Sequence, residues 1–174
     1  MNKNISKKAT LKMGIARDLT RCVTLFVICG MPASGKTTFA NKIIKEHDAV
    51  LLSEDEWMRD LIDMYDNDKM RGNIARLHRK IASRLFIKGV NVVMDGGYYT
   101  KEERDNLKNI AKNSNVNFEL HYLKVDFSTL RVRRIERNRN LQPKFQTTEE
   151  NLKKAKSLFQ EPDNNENFML HENQ

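Results

Sequence analysis

The sequence predicts an α/β fold: a parallel β-sheet with helices on both faces. Three observations predict it. Short apolar runs alternate along the chain with longer amphipathic stretches, which is the pattern of a sheet covered on both sides. The runs are rich in β-branched residues, as strands buried on both faces require. The first of them, Val23-Thr24-Leu25-Phe26-Val27-Ile28, passes through a glycine-containing turn directly into a helical segment. The 174 residues suffice for one such domain and are too few for two.

In chain order, residues 1–20 are polar and carry Lys3, Lys7, Lys8, Lys12 and Arg17, so they are read as a basic arm ahead of a domain spanning 21–162. After the first strand and its turn, a helix runs to about His47. Ala49 to Ser53 is a second buried strand. Glu54 to Met64 is a short helix with Trp57, Leu61 and Met64 on one face, broken at Asp66-Asn67-Asp68. From Arg71 to Lys88, Ile74, Leu77, Ile81 and Leu85 recur at three- and four-residue steps, the period of an amphipathic helix, and Gly89 closes it. Val90 to Met94 is a third strand. Thr100-Lys101-Glu102-Glu103 is a capping box that opens a helix to about Asn113. Phe118 to Val125 is a fourth strand, and Ser128 to about Arg139 an arginine-rich helix. Thr147-Thr148-Glu149-Glu150 is a second capping box, opening a helix with Leu152, Ala155, Leu158 and Phe159 inward. Residues 163–174 are acidic and amide-rich and are taken as a tail, in which Phe168-Met169-Leu170 is the one candidate for a short last strand.

The turn after the first strand reads Gly30-Met31-Pro32-Ala33-Ser34-Gly35-Lys36-Thr37-Thr38 and matches G-x-x-x-x-G-K-[ST] at every fixed position. Gly30 and Gly35 permit backbone angles that let successive N–H groups turn inward around a phosphate. The N-terminus of the following helix aims its free N–H groups at the same anion. Lys36 is placed to reach the β- and γ-phosphates, and the Thr37 hydroxyl to hold Mg²⁺.

Ligands of parallel sheets bind at the carboxyl ends of the strands, where Gly30, the segment Ser53 to Asp55 and Asp95 all fall. Asp95 ends an apolar strand, and its carboxylate is either a second Mg²⁺ group opposite Thr37 or a cap for the turn at Gly96-Gly97. Asp55 follows the second strand. It is either a base for an acceptor hydroxyl or the N-cap of the helix containing Trp57, with Glu54 and Glu56 competing for the first role. Arg131, Arg133, Arg134, Arg137 and Arg139 crowd one helix, and Arg133 and Arg137 share a face one turn apart. Such a run is a solvated basic face or a lid folding over phosphates. Arg59, Tyr98, Tyr99 and Arg104 fall near the rim and are candidates for an acceptor pocket.

With the phosphate loop, these segments resemble the P-loop kinases that include zeta toxins, chloramphenicol phosphotransferase and the kinase domain of polynucleotide kinases. Besides the loop, the resemblance is carried by Ser53-Glu54-Asp55-Glu56-Trp57-Met58, Val92-Val93-Met94-Asp95-Gly96-Gly97 and Arg133-Arg134-Ile135-Glu136-Arg137-Asn138. It implies a P-loop NTPase fold of the nucleoside-monophosphate-kinase type with an arginine-rich lid. It also implies ATP, Mg²⁺ and transfer of the γ-phosphoryl to a hydroxyl. By motif match, Gly30, Pro32, Ala33, Ser34, Gly35, Lys36, Thr37 and Thr38 bind the nucleotide, Asp55 is the general base, and Arg133 and Arg137 are the lid arginines. The chain departs from polynucleotide kinases where Met58 stands in place of their arginine, with Arg59 one position late. A weak or absent fifth strand is the second departure.

The expected activity is therefore transfer from Mg-ATP to a hydroxyl-bearing small molecule. A 5′-hydroxyl kinase for nucleic acid is the first alternative, favoured by the basic arm. A nucleotide-binding regulator or toxin-like protein with slow ATP hydrolysis is the second. Leu123-Lys124-Val125-Asp126 lacks the asparagine of N-K-x-D, so ATP is expected rather than GTP. The net charge of +8 is ascribed mainly to phosphate handling. No apolar run approaches a membrane span. Cys22 and Cys29 lie too far apart along an extended strand to bridge, and two thiols suit a reducing, cytoplasmic setting.

Overall fold

The computed structural model describes residues 22–62 and 68–172. Five parallel strands, β1 (Thr24–Gly30), β2 (Ala49–Ser53), β3 (Asn91–Asp95), β4 (Asn117–Lys124) and β5 (Phe168–Glu172), form one sheet in the order β2-β3-β1-β4-β5. Its helices are α1 (Lys36–His47), α2 (Glu54–Ile62), α3 (Asp68–Ile87), α4 (Lys101–Asn113), α5 (Phe127–Asn138) and α6 (Glu149–Leu158). The parallel sheet expected from the sequence is present, and its central strand explains the covering on both faces. All of β1 is buried. Its Leu25, Val27 and Cys29 join the cluster containing Ala82 and Phe86 of α3 and Leu107 and Ala111 of α4. Phe26 and Ile28 point the other way, into the cluster with Phe39, Ala40 and Ile43 of α1. That alternation is the period of two dictated by the pleat.

Beyond one- or two-residue shifts at other element ends, three boundaries differ from the sequence reading. Residues 163–174, taken as a tail, contain β5, which pairs with β4 from Leu120↔Phe168 to Lys124↔Glu172. Phe168 packs on the core, but Met169 and Leu170 are exposed on an edge strand, which weakens the apolar pattern. α3 begins at Asp68, before Arg71. α6 is capped by Thr148, which exchanges hydrogen bonds with Asn151, whereas Thr147 is buried and held by Asn138. The basic arm, residues 1–20, and the stretch 63–67 fall outside the described residues.

Cys22 is exposed and Cys29 buried, both as free thiols, and burial pushes the Cys29 thiol up to about 12. Among the described residues, no helix is long and apolar enough to cross a membrane. Asp95 is level with Ile28 of β1 and Ser53 of β2. That register brings the exits of three strands to one rim.

Candidate active site

Gly30 ends β1 with φ 151°, where a Cβ would sit 2.8 Å from the Leu123 carbonyl oxygen and 2.9 Å from Ser34 Oγ. No larger residue fits there without moving the β4 backbone. Gly35 precedes α1 and no side chain caps that helix, so its first N–H groups remain available to an anion. The Ser34 hydroxyl is buried beside them with no hydrogen-bond partner among the described residues. Lys36 Nζ donates to the carbonyl oxygens of Gly30 and Met31, both at 3.0 Å. Burial lowers the Lys36 pKa, while the carboxylates of Asp95 and Asp55 work against that shift.

Thr37 Oγ1 donates to Asp95 Oδ2 at 2.9 Å. Burial raises the Asp95 pKa, opposed by Lys36 and by the Thr37 hydrogen bond. These two hard oxygen donors fit Mg²⁺. Among the described residues no cluster of three or more His, Cys, Asp or Glu side chains is arranged to hold a metal. A divalent ion here would therefore complete its shell with phosphate oxygens and water, as Mg²⁺ does.

A cavity of about 450 Å³ opens over the loop and is lined by Pro32, Ala33, Gly35, Lys36, Thr37 and Thr38. Asp95, Gly96, Gly97 and Tyr98 form another wall, Glu54 and Asp55 a third. Asp55 sits in the first turn of α2, and its Oδ1 accepts from Arg71 Nη1 of α3 at 3.0 Å. Burial pushes the neighbouring Glu54 carboxyl up to about 7, with Arg71 pulling it down. Tyr98 is buried with its backbone at φ 43°, a strained conformation for an aromatic residue. A Cβ on Gly96 would lie 2.8 Å from the Tyr98 ring, so the glycine is what lets that ring fold back.

The arginine run divides by direction. Arg131 and Arg134 turn toward α6 and pair with Glu149 at 3.0 and 2.9 Å. Arg133 and Arg137 line the cavity, and Arg137 Nη2 also donates to Thr147 Oγ1 at 3.3 Å. Helical spacing accounts for the division, since Arg133 and Arg137 share one face of α5.

A family model described as "AAA domain" matches residues 25–162. The chain belongs to that family. Solved structures share its fold. Chaetomium thermophilum Kti12 in complex with ADP-AlF3 aligns with a TM-score of 0.69 and 18% identity, over 85% of this chain and 88% of its own. A gluconokinase from Sinorhizobium meliloti 1021 aligns at 0.64 and 16%, over 87% and 83%. The Mycobacterium tuberculosis APS kinase CysC, in complex with AMPPNP and APS, aligns at 0.55 and 17%, over 64% and 68%. The family's fold here is thus the α/β P-loop arrangement of those kinases.

Within this AAA-domain chain, two residues expected at the acceptor pocket lie elsewhere. Arg59 is exposed on α2 and does not line the cavity. Arg104 is 1% exposed and works inside the core. It forms a two-pronged ion pair with Glu166, Nε to Oε2 at 2.7 Å and Nη2 to Oε1 at 2.9 Å, and donates to the Tyr98 carbonyl at 3.0 Å. A position one turn into a helix that packs on the sheet left it no route to the rim. The structure adds Arg71, and Thr147, Asn151, Lys154 and Leu158 near or on α6, to the cavity wall. Arg71 meets Asp55 across a sixteen-residue separation, for which local spacing offers no signal.

Proposed function

We propose that the chain is an ATP-dependent phosphotransferase that moves the γ-phosphoryl of Mg-ATP to a hydroxyl of a small-molecule acceptor. One observation carries this reading: Lys36, the Thr37–Asp95 pair and Asp55 face a single cavity. Likeness to a Kti12 bound to ADP-AlF3 and to an APS kinase bound to AMPPNP supports the nucleotide. The loop amides, Ser34 and Lys36 take the triphosphate. Thr37 and Asp95 hold Mg²⁺, which when bound offsets phosphate charge. Arg133 and Arg137 add positive charge from the lid side. Asp55 Oδ1 is fixed by Arg71, and its Oδ2 receives the acceptor's proton. A second cavity of about 480 Å³ runs from Met31 along the exits of β4 and β5 past Phe127, Leu130 and Phe159, and its apolar wall suits a nucleobase. Two free thiols agree with a cytoplasmic setting.

The test is incubation with γ-labelled ATP and Mg²⁺ against pooled nucleosides, sugars, antibiotics and 5′-hydroxyl oligonucleotides. Label in a small-molecule pool is the expected outcome. Label only in the oligonucleotide, lost steeply as salt rises, selects the polynucleotide kinase instead. The Arg71–Asp55 ion pair favours one other reading, a slow ATP hydrolase in which Asp55 is only structural. In that case only free phosphate forms, and Asp55→Asn leaves its rate unchanged.

A further inference from the structure

We infer that the acceptor is a neutral or cationic polyhydroxylated small molecule, held by the Glu54 carboxyl and the Tyr98 hydroxyl through a donor group next to the hydroxyl it offers to Asp55. This rests on the phosphotransfer reading above and narrows its substrate.

Glu54 and Tyr98 are each 8% exposed, and both line the cavity over the phosphate loop. Neither the Glu54 carboxyl nor the Tyr98 hydroxyl has a hydrogen-bond partner among the described residues, and neither is sealed from solvent, so both open onto the cavity. Buried carboxyls are ordinarily satisfied, and Glu166 in this molecule shows it, with both oxygens taken by Arg104. An acceptor that opens onto the cavity and has no partner in the protein is placed to take a donor brought by the ligand. In its ionised form Glu54 only accepts, so the matching group is a hydroxyl or an ammonium. The tyrosine hydroxyl both donates and accepts, which suits a polyol whose neighbouring hydroxyls do the same.

Charge points the same way. Glu54, Asp55, Asp95 and Glu103 all border this cavity. An acceptor carrying phosphate, sulfate or carboxylate would place its negative charge among them. Of the cations nearby, Arg71 is already paired with Asp55, and Arg79 acts on Glu54 and Tyr98 without lining the cavity. Lys154 stands on the α6 wall, and Lys36, Arg133 and Arg137 serve the triphosphate. The two reading groups are positioned from behind rather than by each other. Arg104 holds the Tyr98 carbonyl, Gly96 leaves room for the ring, and Glu54 is fixed at the start of α2.

In the transfer, the acceptor oxygen bonds to the γ-phosphorus as its proton passes to Asp55 Oδ2. The bond from that phosphorus to the β,γ-bridging oxygen breaks, and its electron pair leaves on ADP. The second donor remains on Glu54 throughout.

The experiment uses the full chain with γ-labelled Mg-ATP and three separate acceptor sets. The first holds myo-inositol, sorbitol and glucosamine, the second hydroxy acids and sugar phosphates, the third 5′-hydroxyl oligonucleotides. Labelled product in the first set is expected. Glu54→Gln and Tyr98→Phe should each raise the acceptor KM about tenfold or more with kcat and ATP-analogue affinity little changed. Tyr98→Phe removes one oxygen and keeps the ring, so it carries the measurement should Glu54→Gln fold poorly. Product in the second or third set alone overturns this inference and leaves phosphotransfer standing. An unchanged acceptor KM in Tyr98→Phe together with a folded Glu54→Gln overturns it as well. Free phosphate with no labelled product in any set overturns both readings.

Discussion

Replacing Glu166 tests whether the far edge of the sheet holds up the wall of the cavity. The Arg104 guanidinium and the Glu166 carboxylate are 1% and 4% exposed as side chains and share two hydrogen bonds of 2.7 and 2.9 Å. Removing one member of a buried pair strands the other's charge, which costs about 3–5 kcal/mol. Glu166→Ala should therefore lose about that much, a large share of the roughly 5–15 kcal/mol typical of a domain. Glu166→Gln also removes the charge but keeps the shape and one acceptor oxygen, so its loss should be smaller than that of Glu166→Ala by about 1.5–3 kcal/mol, the worth of a hydrogen bond to a charged group. Urea unfolding followed by the single tryptophan, Trp57, reads both as a lower midpoint at constant slope. The pH dependence follows from the same pair. Burial works to raise the Glu166 pKa, but the hydrogen bonds and charge of Arg104 outweigh it and hold the carboxyl below its ordinary 4.5. Its contribution is thus present above about pH 4.5 and lost as the pH falls further, and Glu166→Gln should remove that part of the acid sensitivity. A loss below about 1 kcal/mol in Glu166→Ala would refute the reasoning, since no buried charge would then have been stranded.

Asp55→Asn should cut acceptor phosphorylation by about 10²–10⁴-fold and leave ATP-analogue affinity unchanged, as read by single-turnover kinetics and fluorescence titration. Asp95→Asn should raise the Mg²⁺ concentration needed for half-maximal activity, read by metal titration at fixed ATP. Arg133→Ala should lower kcat by up to about 10³-fold with a melting temperature close to the parent's, because its guanidinium makes none of the ion pairs that fasten α5 to α6. Burial, with His171 and His47 nearby, lowers the His121 pKa from 6.5 to about 4. The unfolded chain takes up that proton first, so stability should fall by about 3 kcal/mol between pH 6.5 and 4, and His121→Gln should flatten that slope in urea titrations.

The sheet and the phosphate loop were legible because each rests on local pattern. Strand–glycine–helix order, the strand-end position of Asp95 and the one-turn spacing of Arg133 and Arg137 are all visible within a few residues. The edge strand was harder to see because Met169 and Leu170 face solvent and blur the alternation that marks a half-buried strand. Arg104 was misplaced because an arginine near a rim reads as a ligand group until its partner, 62 residues away, is known. The Asp55–Arg71 pair joins two different helices, α2 and α3, and helical spacing says nothing about such a meeting. Thr148 rather than Thr147 caps α6 because Asn138 has already claimed the Thr147 backbone, a contact that a four-residue motif leaves out.

The Arg104–Glu166 bridge also sets an order of events during synthesis. Helix α4 emerges from the ribosome well before its partner, so a nascent chain holds a naked guanidinium that resists being drawn into the interior. Closure of that half of the domain waits for residue 166, and chains interrupted earlier would leave the neighbouring apolar surface open to chaperones and proteases.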